Sequence, residues 1–181
     1  MSSSSRKRTD ARGQAGQSLA ELAITAPILL TLMMGAVNVG VLLSDKVVAG
    51  YASRQGARMA SQLGAGVNGM TTSQIDQQVV RAVLASAKNL NFATVDQIDI
   101  YWAKTNADGS FNPSDERDTY DGSGSVLAMG FPSTDRNQTT PNEVSIGVRI
   151  LWTYRSPTGS YGINVQTGEY AVMKAAPLAP G

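Results

Sequence analysis

The feature that most constrains this chain is a run of 23 residues, Leu22 to Ser44, without one charged side chain. It reads LAITAPILLTLMMGAVNVGVLLS, mostly Leu, Ile, Val, Met, Ala and Gly. A helix needs about 20 apolar residues to cross a hydrocarbon core ~30 Å thick, so the run is long enough to span a bilayer. Pro27, Gly35 and Gly40 weaken a helix in water, yet membrane helices tolerate both residue types. Pro27 is expected to bend the span, since it lacks a donor and its ring crowds the carbonyl four residues back. A cleavable secretory signal fits less well, because its apolar core is only about 7–15 residues long and no clean small-x-small site closes this run.

Charge sets the expected orientation. Residues 1–16 hold Arg6, Lys7, Arg8 and Arg12 against one acid, Asp10, whereas the rest of the chain has eleven bases and thirteen acids. After the span come Asp45, Lys46, Arg54 and Arg58, a sparser set. The denser cations in front predict a cytoplasmic N-terminus and a translocated C-terminal part. The formal charge of all 181 residues is only +1, which does not suggest a nucleic-acid partner. The chain has no His and no Cys, so His acid–base catalysis, Cys nucleophiles, disulfides and imidazole or thiolate metal sites are excluded.

Glu21 stands directly before the apolar run, among Leu19, Ala20, Leu22 and Ala23. It reads either as an interfacial carboxylate reaching the headgroups or as a carboxylate kept in apolar surroundings because it has a partner. It is the fifth residue after Gly16, the glycine that ends the basic leader. Gly-x-x-x-x-Glu at the head of a hydrophobic segment resembles the prepilin-peptidase site of type IV pilin-like proteins. Together with GYASRQGARMAS (Gly50 to Ser61), residues 13–62 resemble the TadE-like minor pilins, or pseudopilins, of tight-adherence (Flp-type) pili.

The resemblance implies a leader over 1–16 cut after Gly16 by prepilin peptidase, with Gln17 as the new N-terminus. It implies that Glu21 pairs with the N-terminal amine of a neighbouring subunit. Such a pair would relieve the cost of a lone charge in lipid and fix the axial stagger. Implied partners are prepilin peptidase, other pilin subunits, the inner-membrane assembly platform and membrane lipid. The implied location is the bacterial inner membrane, single-pass, with the domain periplasmic or carried into an extracellular pilus that serves adhesion. Gln17 stands where many type IV pilins have Phe, and the major Flp subunits are much shorter than this chain, which favours a minor component.

Beyond the span, Val48, Ala52, Gly56, Met59 and Leu63 recur at helical steps, so one helix of about 47 residues (~70 Å) is expected over 17–63, ended by Gly64, Gly66 and Gly69. Its small residues Ala49, Gly50, Ala52, Gly56, Ala57 and Ala60 permit close approach of another helix or backbone, within one domain or between subunits.

The remainder, 64–181, is expected to form an extracytoplasmic α+β domain. Thr71-Thr72-Ser73 offers caps for a second helix, with Ile75, Val79, Val80, Val83, Leu84 and Ala87 as its apolar face. Val95, Ile98, Ile100, Tyr101 and Trp102 suggest a strand. Residues 143–154 predict another, because Val144, Ile146, Val148, Ile150 and Trp152 alternate. Ile163, Val165, Tyr170 and Val172 read as a hairpin turning at Thr167-Gly168, and 176–181 as an exposed tail. Residues 106–138 read as a polar loop, whose Asp115, Glu116, Asp118 and Asp121 are solvated turn acids rather than a calcium site.

No Gly-x-Ser-x-Gly elbow, P-loop or Rossmann glycine pattern is present, so an enzyme is not expected, and no cofactor or metal is implied. Tyr101, Trp102, Trp152 and Tyr154 read as core or cross-strand aromatics rather than a stacking platform. A structural protein of pilus assembly is the first functional expectation. An uncleaved single-span envelope protein, whose periplasmic domain binds a pilus or secretion component, is the alternative.

Overall fold

A computed structural model describes residues 6–64, 69–106, 108, 110–136, 144–157 and 164–175. Helix α1 (Arg6–Leu63) and helix α2 (Thr72–Ala87) precede five strands: β1 (Ala93–Thr105), β2 (Phe111–Asp121), β3 (Val126–Met129), β4 (Ser145–Arg155) and β5 (Asn164–Lys174). The chain divides into two units, Met1–Gly40 and Val41–Gly181. The first holds only the forward part of α1. The second is α+β, with the rest of α1, α2 and one antiparallel sheet of order β3-β2-β1-β4-β5.

In the second unit the core lies between the helices and one sheet face. On β4, Ile146, Val148, Ile150, Trp152 and Tyr154 are all buried, as their alternation predicts. Opposite them on β1 lie Ile98, paired with Ile150, and Ile100, paired with Val148. α2 adds Ile75, Val79, Val80 and Val83, each worth about 1.5–3 kcal/mol when fully buried. Its start is fixed by a capping box: the Gln74 amide donates to the Thr71 hydroxyl at 3.3 Å, and the Thr71 amide donates to the Gln74 side chain at 2.9 Å.

α1 meets this core with its small residues. Ala49, Ala52, Ala57 and Ala60 are buried there, and a Cβ on Gly56 would lie 2.5 Å from Val83 Cγ2 and 3.1 Å from Val148 Cγ1. The helix ends at Gly64, whose φ of 49° suits a residue without a side chain.

Two expectations are corrected. The stretch 106–138 is not a loop, since it contains β2 and β3, and β2 lies inside the sheet. The hairpin at Thr167-Gly168 does not form. β5 runs unbroken through both residues, with Gly168 paired to Leu151, whose Cδ2 would lie 2.9 Å from an added Cβ. Glu143, Gly66, Ile163 and the tail 176–181 lie outside the described residues.

Buried charges tie β2 and the segment after β3 to α2. Arg136 Nη1 donates to Asp76 Oδ1 at 2.5 Å, and its Nη2 donates to Asp76 Oδ2 at 2.8 Å and to Asp118 Oδ2 at 2.6 Å. Asp118 Oδ1 accepts from the Gly130 and Phe131 amides, and the Tyr120 hydroxyl donates to Asp76. Asp118 is thus no solvated turn acid, which corrects that expectation. Asp121 does hold a turn, accepting from the Ser123 hydroxyl and the Ser123 and Ser125 amides, bonds that keep its carboxyl below the usual range. Burial outweighs the hydrogen bonds and charge of Arg136 and, with a smaller push from Asp118, raises the Asp76 pKa from 3.8 to about 6.

Two outcomes are expected of the full chain in detergent, followed by the fluorescence of buried Trp152. Gly56→Leu should lower unfolding stability by about 2–3 kcal/mol through overpacking. Gly50→Ala, whose new Cβ meets only ordinary contacts at 3.8–3.9 Å, should be neutral or gain up to about 1 kcal/mol. Since the folded pKa of Asp76 lies above its unfolded value, its stabilising contribution is complete below pH ~4 and is lost as pH rises through ~6. Stability of the native chain relative to Asp76→Asn should therefore fall by about 2–3 kcal/mol between pH 4 and 7. A flat difference would show that burial does not raise the Asp76 pKa.

Candidate functional site

From Leu22 to Gly40 α1 carries no charge and is exposed over most of its surface. Leu19, Leu22, Ile24, Ile28, Leu29, Leu32, Met33 and Val37 are all exposed, and successive positions on a helix turn by about a hundred degrees. A helix apolar all round belongs in lipid or against other protein. From Gly16 onward, α1 is long and apolar enough to cross a membrane. Its polar groups turn inward along the backbone: the Thr25 hydroxyl donates to the Glu21 carbonyl at 2.9 Å, and the Thr31 hydroxyl to the Pro27 carbonyl at 2.8 Å. Pro27 sits inside the continuous helix.

Glu21 is the one ionisable side chain near the head of this surface. Gln17 Nε2 donates to its Oε1 at 3.1 Å, the i to i+4 spacing of one helical turn. Among the described residues no cation comes within ion-pair distance of it. An ionised carboxylate has about four acceptor sites, so one amide leaves it most of its capacity. Gly16 is exposed too, and an added Cβ there would meet nothing within 4 Å. Gly16, Gln17 and Glu21 thus lie within two turns of one exposed helix.

The remaining sequence-predicted positions belong to the second unit. Ala52, Gly56, Ala57 and Ala60 pack inside it, and Gly50 lies beside Arg54 and Glu169. Tyr101, Trp152 and Tyr154 are buried, and Trp102 is half-buried beneath the Lys104 ammonium, 4.3 Å from the ring centroid. They offer no open stacking platform.

The residue that sequence reading missed is Asp45. It is fully buried, and its carboxylate accepts from the Asn91 amide at 2.9 Å and the Phe92 amide at 3.1 Å. One acid on α1 thereby satisfies the backbone of the α2–β1 turn, some 46 residues away in sequence. The only available signal was its position, the first charge after 23 uncharged residues.

Other clusters are closed. On the second sheet face, buried Asp99 accepts from Arg149 Nε at 2.9 Å, from Gln97 at 2.7 Å and from the Thr119 hydroxyl at 3.1 Å. Asp76 and Asp118 are likewise consumed by Arg136. Among the described residues no three acids converge as a metal-sized group.

No curated protein and no solved structure matches the chain significantly. The family model of TadE-like proteins does match it, over residues 16–58, the stretch that opens at Gly16, contains Glu21 and the apolar run, and ends on the packed part of α1.

Proposed function

We propose that this chain is a minor pilin or pseudopilin of a tight-adherence pilus. It would be inserted through α1, cut after Gly16 by prepilin peptidase, and passed with its sheet domain outward to other pilin subunits at the inner-membrane platform. The observation that carries this reading is the coincidence of the TadE-like match with Gly16, Gln17 and Glu21 at the head of an exposed apolar helix.

The chemistry follows from the residues. Hydrolysis of the Gly16–Gln17 bond gives Gln17 a free amine, whose ordinary pKa near 8 leaves it cationic at neutral pH. A neighbouring subunit's Glu21 is then the natural counter-ion, and forming the pair removes an isolated charge from an apolar medium. The exposed flank of α1 exchanges lipid for the α1 helices of neighbours, an exchange in which close packing and hydrogen bonds rather than water exclusion provide the gain. The buried small residues serve the domain itself, so the part of the helix left for neighbours is the forward, lipid-like part.

Two measurements test the proposal. Intact mass from hosts with and without the prepilin peptidase should give a peptidase-dependent start at Gln17. A basic leader intact in both hosts would contradict it and leave the uncleaved single-span envelope protein. Glu21→Ala should still be inserted and cut, yet its yield in sheared pili should drop by about ten-fold or more, with Glu21→Asp intermediate. Undiminished incorporation of Glu21→Ala would remove the amine pair from the mechanism.

A further inference from the structure

The tie made by Asp45 places a second set of residues at the level where the apolar run ends. Residues 22–40, the part of the run before the second unit begins, rise about 28 Å at 1.5 Å per residue, close to a hydrocarbon core of ~30 Å. The headgroup layer beyond such a core is several ångströms deep on each side, and Val41 and Leu42 at the end of the run already pack against the domain core. Asp45 follows the run directly, and it holds the Asn91 and Phe92 amides within 3.1 Å. Phe92 is thereby held beside the first residue after the run, and it is 44 % exposed.

The surroundings of Phe92 are basic. Its carbonyl accepts from the Arg155 amide at 2.7 Å, so the end of β4 lies beside it, and Arg155 is exposed. Lys88, the C-cap of α2, opens the same short turn and is exposed as well. Among the described residues neither cation makes an ion pair. The one acid in the turn's immediate contact, Asp45, is buried and occupied, and the next acid along β1 is Asp96, four residues on. An exposed aromatic flanked by unpaired cations, held where a span leaves the hydrocarbon, matches the chemistry of a membrane interface, where aromatic side chains take the apolar part and cations meet phosphate.

We propose that the α2–β1 turn with Arg155 is a docking surface for anionic phospholipid, on which Phe92 enters the headgroup layer while Lys88 and Arg155 face lipid phosphates. This inference rests on the membrane-anchored reading of α1. Its effect is to seat the domain on the bilayer, so that departure into an assembly requires releasing these contacts as well as the apolar helix.

The chain has no cysteine, so single thiols can be introduced and labelled with an environment-sensitive fluorophore. Full-length Phe92→Cys, Thr105→Cys and Leu32→Cys would be placed in nanodiscs of phosphatidylcholine with or without phosphatidylglycerol, carrying shallow spin-labelled lipid as quencher. The label on Phe92→Cys should be quenched, more strongly with phosphatidylglycerol, while that on Thr105→Cys at the far end of β1 should not. Adding Lys88→Gln and Arg155→Gln should abolish the phosphatidylglycerol increment and weaken surface occupancy roughly ten-fold or more at low salt. Equal quenching at positions 92 and 105, or quenching at 92 indifferent to lipid charge, would overturn the proposal. Burial of the label on Leu32→Cys reports insertion separately: its failure would sink the membrane reading itself, whereas its success with no quenching at 92 would sink only this inference.

Discussion

Asp45 is the first charge after the apolar run and, among the described residues, the first buried position of α1. From Leu19 to Val39 the large apolar residues of the helix are exposed, and at Val41 and Leu42 it begins to pack against the domain core. After Asp45, one flank of small residues is buried against α2 and the sheet, and the other, with Lys46, Val47, Tyr51, Arg54 and Arg58, is exposed. A buried carboxylate is tolerated only when its acceptors are filled, and here two backbone amides of the α2–β1 turn fill them. The turn's amides gain a strong acceptor, and the helix gains a fixed rotation against the sheet. That rotation decides which side of α1 meets Val83 and Val148, and so why Gly56 tolerates no side chain.

The sheet domain uses charge in the same way. β2 and the segment after β3 each give one aromatic to the core, Tyr120 and Phe131, and they are held besides by carboxylates bonded to guanidinium and amide groups inside the fold. Truncating one partner of such a buried pair leaves an unpaired charge, at a cost of about 3–5 kcal/mol. Arg136 connects α2, β2 and the short 3-10 turn at Ser133–Asp135, and its guanidinium also stacks 4.4 Å from the Phe131 ring centroid. A domain so assembled is pinned by buried charge where its sequence looks polar.

What could be read from the sequence was whatever is local. The apolar run, the Thr71 cap, the face of α2 and the alternation of β4 each announce themselves within a few residues, and the structure has each of them. β2 did not, because FNPSDERDTYD has no alternation of apolar residues, and its buried Asp118 is stabilised by an arginine 18 residues away. The break assigned to Thr167-Gly168 failed because a glycine can also mark close approach, and Leu151 lies across from it. At the candidate site, Gly16, Gln17 and Glu21 were legible as a spacing. Asp45 was not, since its partners belong to a turn that sequence places far away.

One account joins these features: a lipid-soluble helix with a single carboxylate at its head, a buried joint where the run ends, and a charge-pinned domain beyond it. Its central claim is that the domain stands on the far side of the membrane from the basic leader. The most direct measurement is labelling of Ala85→Cys, an exposed position on α2, with a membrane-impermeant thiol reagent applied to intact spheroplasts. The account predicts full labelling before lysis. Labelling that appears only after lysis would put the domain in the cytoplasm and contradict it.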